Sequence, residues 1–375
     1  MSFYHEIQKI DWPSVTAAIY AKTSLDAERA LKKTHRDNDD FMALLSPAAT
    51  PLLEEMARQS HAITRQRYGN VIQLYIPMYL SNYCQNRCVY CGFSGANHIT
   101  RKALTIEEMQ AEAAFIRQDP FRHILLVTGE APAKAGVDYF KTAIETMKPW
   151  FSQISLEVQP LETNEYAQLV EHGLHAVYVY QETYRETAYP NYHPFGKKAD
   201  YRFRLETPDR LGQAGVRKIG LGNLIGLEDW RTEAYATGMH LRYLQRQYWQ
   251  TKYSIAFPRL RPFAGAGFQP NFTTTERDLT QLICAYRLFD ADVELSLSTR
   301  ESPRYRDNVF PLGITALSAG SKTGPGGYSG SNELEQFAVH DDRSPRQVAD
   351  MLRQRGFEPV WKDWSLFLQE EMVRE

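Results

Sequence analysis

Cys84, Cys88 and Cys91 stand at C-x3-C-x2-C spacing, three of the four cysteines of a 375-residue chain. Thiolates are soft ligands, and three of them on one short loop suit an iron–sulfur cluster or a zinc ion. A [4Fe–4S] cluster takes four ligands, so three cysteines leave one iron open to something other than protein. Zinc, with His98 as the fourth ligand, is the alternative that the spacing leaves open. The other residues able to do chemistry are scattered: Thr128-Gly129-Glu130, Glu157 with Gln159, Gln181 to Tyr184, Gly222-Asn223, Pro258-Arg259, Thr299-Arg300-Glu301, and Ser318 to Ser321. Each group follows a β-rich run.

Those runs are the elements that must position them. Residues 71–76, 123–127, 154–158, 176–180, 217–221, 253–257, 293–298 and 314–317 are rich in β-branched and apolar side chains. Helical stretches separate several of them. Thr105-Ile106-Glu107-Glu108 has the form of a capping box, and residues 163–171 and 200–213 end before glycines placed to stop a helix. Eight strands alternating with helices predict parallel pairing and a (β/α)8 TIM-like barrel, with a doubly wound open sheet as the competing architecture. In a barrel the functional groups sit just after the strands, where the scattered polar residues fall.

Residues 1–70 are rich in helix formers and predict a helical N-terminal extension to a barrel over 71–321. Within them, the charged patch Arg36 to Asp40 is expected as a solvated turn or cap. Residues 322–375 are expected as a glycine- and proline-rich flap over 322–330, a helix over 344–355, and an aromatic tail with Phe357, Trp361, Trp364 and Phe367. That tail is expected to pack on the core, with docking a partner as the alternative. A net charge of -2 and no basic stripe argue against nucleic acid. No apolar run reaches membrane-spanning length, and the first residues lack the pattern of a signal peptide. A tight cysteine group with no disulfide framework suits the reducing cytoplasm. Cys284, alone on a helical stretch, is expected to be a buried apolar residue.

C-x3-C-x2-C with Tyr90 ahead of the last cysteine, inside a β/α pattern, resembles the radical S-adenosylmethionine (SAM) superfamily. The resemblance implies a [4Fe–4S] cluster on Cys84, Cys88 and Cys91, its open iron holding the amino and carboxylate groups of SAM. Thr128-Gly129-Glu130 is similar to the superfamily's Gly-Gly-Glu motif, with Thr for the first Gly, which implies contact with the SAM amino group. The stretch Gly222-Asn223-Leu224-Ile225-Gly226-Leu227-Glu228 resembles the motif lining the adenine, which implicates Gly222, Leu224 and Gly226. Arg204 stands where relatives place an arginine near the SAM carboxylate. Tyr90 and Phe93, with Glu157, Gln159 and Gln181, complete the implied cofactor contacts, Glu157 reaching the ribose or the substrate.

The resemblance narrows to the aromatic-amino-acid lyases of that superfamily. It rests on Leu156 to Pro160, Tyr180 to Tyr184, Gly226 to Arg231, Leu297 to Glu301 and Leu317 to Ser321. It implies cleavage of L-tyrosine between Cα and Cβ to 2-iminoacetate and 4-cresol, with SAM giving 5′-deoxyadenosine and methionine. Arg300 is the implied partner of the substrate carboxylate, because a guanidinium fork matches a carboxylate in two bonds. An ion pair of Arg300 with Glu301 is the alternative. Ser318 and Ser321 would add hydroxyl donors, and Tyr184 would line the substrate ring or hold SAM. A lyase of this group in hydrogenase maturation carries further cysteines after the barrel, whereas no cysteine follows Cys284 here. The thiamine-thiazole branch is therefore expected, with a thiazole synthase as partner and a flavodoxin- or ferredoxin-type electron donor. The hydrogenase-maturation lyase, a tryptophan lyase and a structural metal-binding interaction protein are the alternatives.

Overall fold

Period-two alternation sorts the strands of this chain into two faces, and that sorting makes the barrel. In β1 (Val71–Ser81) the side chains of Ile72, Leu74, Ile76, Met78 and Leu80 are at most 2% exposed and belong to the apolar core. Burying each is worth about 1.5–3 kcal/mol. Their neighbours Gln73, Tyr75 and Tyr79 face a central cavity instead. The computed structural model describes residues 2–263, 268–330 and 335–362.

Seven more strands follow: β2 (His123–Thr128), β3 (Gln153–Glu157), β4 (Leu174–Tyr178), β5 (Lys218–Leu221), β6 (Lys252–Ala256), β7 (Glu294–Leu297) and β8 (Ala316–Ser318). Each pairs in parallel with the next, and β1 pairs in parallel with both β2 and β8, so eight strands close on themselves. Closure decides between the two expected architectures in favour of the barrel. A ninth strand, β9 (Glu358–Val360), pairs with Val71 to Gln73 of β1. Just past it, the carbonyl of Trp361 accepts from the backbone N–H groups of Arg122 and His123, at 3.0 and 3.1 Å. Phe121 meets the Trp361 ring edge-on at 4.8 Å. Phe357 and Trp361 pack against the core, while Trp364 and Phe367 lie outside the described residues.

Each expected run overlaps an observed strand, with different ends. The first was expected over 71–76 and runs on through Pro77 to Ser81. The Pro77 carbonyl accepts from the Tyr328 hydroxyl at 2.7 Å, so that edge of the residue faces Tyr328 and the missing donor breaks no bond to β2. The helix expected over 200–213 is two, Tyr201–Leu205 and Thr207–Gln213, because Pro208 cannot donate to the carbonyl four residues back. The charged patch is a cap: Asp37 and Asp40 form a capping box on the helix Asn38–Leu45. Helices Phe3–Ile7, Trp12–Tyr20, Ser24–Lys32, Asn38–Leu45 and Leu53–Tyr68 precede β1. They pack on the barrel's outer helices through stacked rings, Phe3 on His240 at 4.0 Å and Phe41 on Phe289 at 4.1 Å. No described helix is long and apolar enough to cross a membrane.

The floor of the barrel is polar. Gln73 bonds His123 at 3.2 Å and Gln153 at 3.3 Å, His123 bonds Ser155 at 2.8 Å, and Lys218 pairs with Glu294 at 2.8 Å. All of these stand among the first three residues of their strands. The expected flap over 322–330 is anchored instead. Glu112 accepts from the N–H groups of Tyr328 and Ser329 at 3.2 and 2.5 Å, and the Tyr328 ring is buried. Gly327 serves close packing, a Cβ there coming within 2.9 Å of the Lys322 side chain, while Gly326 and Gly330 take a positive φ.

Above the barrel, Arg306 reaches the Ser318 carbonyl at the end of β8, at 2.5 Å, and forms a short ion pair with Asp341. Both partners are buried. Arg343 adds a second bond to Asp341 at 2.7 Å and one to Asp307 at 2.9 Å. Removing one member of a buried pair strands the other charge, at a cost of about 3–5 kcal/mol. Asp341→Ala is therefore expected to lower stability by roughly that amount, read as a fall in the urea midpoint. An unchanged midpoint would refute the assignment.

Candidate active site

The loop between β1 and the helix Ile106–Ile116 carries the three cysteines, and two residues gather it. Asn82 ties its ends, donating to Thr100 O at 2.8 Å and accepting from Lys102 N at 2.6 Å. Arg101 donates to four carbonyls, of Asn82, Phe93, Ser94 and Asn97, at 2.6 to 3.1 Å. A guanidinium has five N–H donors in a fixed fork, which suits this use. Cys84, Cys88 and Cys91 all reach one cavity, which with its open mouth contains about 1770 Å³ of empty space. Burial pushes Cys84 up to about 11 and raises Cys88 and Cys91 as well. A bound metal reverses that tendency by stabilising the thiolate. His98 is exposed and lies off the cavity wall. Among the described residues no three His, Cys, Asp or Glu side chains form the ligand set of a single ion.

Beside the thiols runs a closed ring of polar contacts. Asn86 donates to Glu130 at 2.7 Å, and Glu130 accepts from Arg204 at 2.8 Å. Arg204 lies 3.8 Å from Glu182, and Glu182 pairs with Lys198 at 2.7 Å. The backbone N–H of Lys198 returns to the Asn86 side chain at 3.0 Å. Burial alone would raise Glu130, but the charges of Arg204 and Lys198 outweigh it and hold Glu130 below its ordinary value. Glu182 adopts a φ of 70°, a left-handed backbone rarely taken by residues other than glycine. Next to Glu130, a Cβ on Gly129 would lie 2.4 Å from the carbonyl oxygen of Tyr83. Only glycine lets β2 approach the cysteine loop so closely.

Across the cavity stand Glu157 and Arg300. Burial pushes Glu157 up to about 7, opposed by the Arg300 charge and assisted by Glu182. Arg300 is enclosed, with its guanidinium 3.4 Å from the centre of the Phe337 ring and a 3.4 Å bond to the Arg259 carbonyl. Glu301, the alternative partner for Arg300, is taken by Arg259 at 2.8 Å and Arg261 at 3.4 Å. Among the described residues Arg300 has no carboxylate partner. Ser318 accepts from the Thr299 N–H at 3.0 Å, while the Ser321 and Thr128 hydroxyls, also on the wall, have no hydrogen-bond partner. Buried orphaned hydroxyls facing a cavity are what a polar ligand satisfies.

Tyr90, Phe93 and Leu224 also reach the wall. His193 Nδ1 lies 3.1 Å from the Tyr189 carbonyl and must donate to it, so its Nε2 accepts from the Tyr90 hydroxyl at 2.7 Å. Burial keeps this ring neutral, down to about 2.

Five expected site residues lie elsewhere. Gln159 stands past the end of β3 and donates to the Ala135 carbonyl at 2.7 Å, in an outer groove. Gln181 is buried between two residues, Tyr180 and Glu182, that do face the cavity; alternation turns it away. Tyr184 bonds His240 at 3.0 Å and meets Phe3 edge-on, in the layer outside the barrel. Gly222 and Gly226 are off the wall. A Cβ on Gly222 would come within 2.9 Å of the Ala256 carbonyl, and Gly226 has a φ of 115°. Those glycines shape the loop that presents Leu224. Conversely, Asn86, Glu182, Lys198, Tyr79, Gln336 and Phe337 line the cavity without having been singled out. Glu182 lies in the stretch after the fourth run and Asn86 between the first two cysteines of the motif, while the other four had no sequence signal. Gln336 and Phe337 reach the cavity beside Thr323 of the expected flap, and Gln336 N–H donates to Thr323 O at 2.9 Å.

Three thiols, a carboxyl, a guanidinium without a carboxylate partner and hydroxyls without partners around one cavity fit an iron–sulfur cluster together with ligands bearing amino and carboxylate groups. A family model described as the radical SAM superfamily matches residues 78–236, and one described as the biotin and thiamin synthesis associated domain matches 256–358. The chain is 52% identical over 369 residues to the 2-iminoacetate synthase of Escherichia coli (strain K12), covering 98% of each. It is 51% identical to that of Salmonella typhimurium (strain LT2), again over 98% of each. Its fold is similar to HydG, a maturase of [FeFe]-hydrogenase, with a TM-score of 0.90 and 30% identity over 97% of this chain and 81% of that one. The methylornithine synthase PylB shares the fold, with a TM-score of 0.73 at 19% identity.

Two outcomes test this geometry. Gly129→Ala must push the Tyr83 carbonyl and with it Cys84, so iron incorporation on anaerobic reconstitution is expected to fall sharply while the circular dichroism stays that of a folded barrel. Full iron loading would contradict the packing. A carboxyl raised in the folded state contributes stability below its unfolded value, near 4.5, and loses it as pH rises to about 7. The slope is about -1.4 kcal/mol per pH unit over that window. Glu157→Gln is expected to remove that share of the decline, measured as denaturant midpoints from pH 4.5 to 8. A slope equal to the parent's would place Glu157 in water.

Proposed function

The chain belongs to the family of 2-iminoacetate synthases, radical SAM carbon–carbon lyases, and we propose on that premise that its barrel cleaves L-tyrosine between Cα and Cβ to 2-iminoacetate and 4-cresol. The observation that carries the reading is that three thiols and a guanidinium without a carboxylate partner among the described residues line one cavity. Cys84, Cys88 and Cys91 would hold the [4Fe–4S] cluster. Bound together and reduced by one electron, the cluster and SAM supply a 5′-deoxyadenosyl radical, the hydrogen-abstracting agent.

The chain's own residues do the rest. Arg300 receives the tyrosine carboxylate in two parallel bonds, and its flat face is kept in place by the Phe337 ring. Ser321, whose hydroxyl has no partner, and Ser318 add donors at the same end. Glu130 and Arg204, already oriented by their mutual bond, present an acceptor and a donor to the amino and carboxylate groups of SAM. Thr128, Gly129, Tyr90, Phe93 and Leu224 shape the rest of that seat, and Glu157 offers an acceptor to the ribose hydroxyls or the substrate ammonium. Segment 335–337 over the cavity excludes water, which protects radical chemistry from quenching. The imine product hydrolyses in water, which favours transfer to a bound thiazole synthase in the cytoplasm, with a flavodoxin- or ferredoxin-type protein as electron donor.

Anaerobic incubation of the reconstituted protein with SAM, a strong reductant and tyrosine is expected to yield 5′-deoxyadenosine and 4-cresol. A fully loaded protein that yields neither would overturn the proposal. Arg300→Ala strands a substrate carboxylate in a buried site, worth about 3 kcal/mol or about 100-fold in kcat/KM. SAM affinity is expected to hold; if it falls instead, Arg300 serves the cofactor.

A further inference from the structure

Gln336 enters the site from the far end of the sequence and stops against a cysteine of the cluster loop. Its side-chain Nε2 lies 3.7 Å from the sulfur of Cys91, within range of an N–H···S bond. Its Oε1 accepts from the Tyr79 hydroxyl at 2.8 Å. Its backbone is fixed on both sides, with N–H to Thr323 O at 2.9 Å and carbonyl to Gly92 N–H at 3.2 Å. A Cβ on Gly92 would come within 2.7 Å of that carbonyl oxygen, so glycine at 92 is what admits the segment. The orientation of the amide follows from chemistry. Flipped, it would turn a carbonyl oxygen toward a thiolate, acceptor against acceptor, whereas Tyr79 can serve either end. With the sulfur carrying negative charge, the N–H end must face Cys91.

We propose that Gln336, locked by Tyr79, tunes the reduction potential of the cluster by donating a hydrogen bond to the Cys91 sulfur. The inference rests on the cluster reading above and deepens it. Reduction adds negative charge to a cluster, and a donor to one of its sulfurs stabilises the reduced form more than the oxidised one, so the bond raises the potential. Gln336 and Cys91 are both half-buried at this contact, so their hydrogen bond is partly shielded from solvent. The device also makes the ease of reduction depend on whether segment 335–337 is in place, because the donor is part of the cover itself.

The test is an EPR-monitored redox titration of the anaerobically reconstituted protein, beside Gln336→Leu and Tyr79→Phe, with iron and sulfide content and SAM binding measured on each. Gln336→Leu keeps the bulk and deletes the donor. Its midpoint is expected to fall, with about a tenfold loss in the one-electron reduction equilibrium, which is 59 mV. Tyr79→Phe leaves the amide but removes its lock, and a smaller shift in the same direction is expected. Variants that carry a full cluster and titrate at the parent's midpoint overturn the proposal. Should Gln336→Leu load poorly, Tyr79→Phe decides alone by the same criterion. A parent protein that assembles no [4Fe–4S] cluster at all fails the cluster reading instead, a result visible in its spectrum before any variant is compared.

Discussion

Two half-buried carboxylates and two buried cations, closed into a ring through Asn86, hold the mouth of this barrel together. Two opposite charges 4 Å apart attract by about 4 kcal/mol at an effective dielectric constant of 20, and each loses its hydration to gain it. Such a pair persists only where further hydrogen bonds fill the remaining donor and acceptor positions. Here they do: Arg204 also donates to the Tyr180 carbonyl at 2.7 Å, and Asn86 serves both Glu130 and the Lys198 backbone. The ring joins the end of β2, the turn after β4, the helix Tyr201–Leu205 and the cysteine loop. It thereby sets the distance between the thiols and the rest of the cavity wall. The left-handed backbone of Glu182 is where the strain of that closure sits.

A polar interior is unusual for an eight-stranded barrel, whose inside is ordinarily filled with branched apolar side chains. Inverting that arrangement moves the apolar burden outward. The outward stripes of β1 to β8 bury against surrounding helices, and the helices before β1 extend that shell around Trp230–Gln247 and Glu276–Phe289. Inside, every polar group must find a partner or face a ligand. At the floor the partners are internal, in the Gln73–His123–Ser155 contacts and the Lys218–Glu294 pair. Higher up they run out, and Arg300, Glu157 and Ser321 are left for something that enters. The gradient from self-satisfied floor to unsatisfied upper wall distinguishes scaffold from site.

Much of this was legible along the chain. Runs rich in β-branched and apolar residues marked all eight strands, since strand preference is carried by consecutive residues. The cysteine spacing was legible for the same reason: its ligands share one loop. The capping box at Thr105 marked a helix start from four consecutive residues. What misled was also local. Gln159, Gln181 and Tyr184 stand in motifs directly after strands, yet a motif does not say which of two adjacent side chains points inward: Tyr178, Tyr180 and Glu182 alternate onto the cavity and Gln181 turns away. Tyr180 and Glu182 took the places expected of Gln181 and Tyr184.

By itself the sequence determined the thiol triad, the barrel's strands and the residue types at their ends, because each depends on short-range spacing or on burial period. Tertiary structure alone decided which of those residues meet. Glu301, beside Arg300 in the chain, pairs with Arg259 and leaves Arg300 open, and Gln336, 245 residues from Cys91, arrives within hydrogen-bond range of its sulfur. Such meetings depend on the closure of the barrel and on the path of the segments that return over it. Closure is a property of eight strands acting together, and no stretch of sequence carries it.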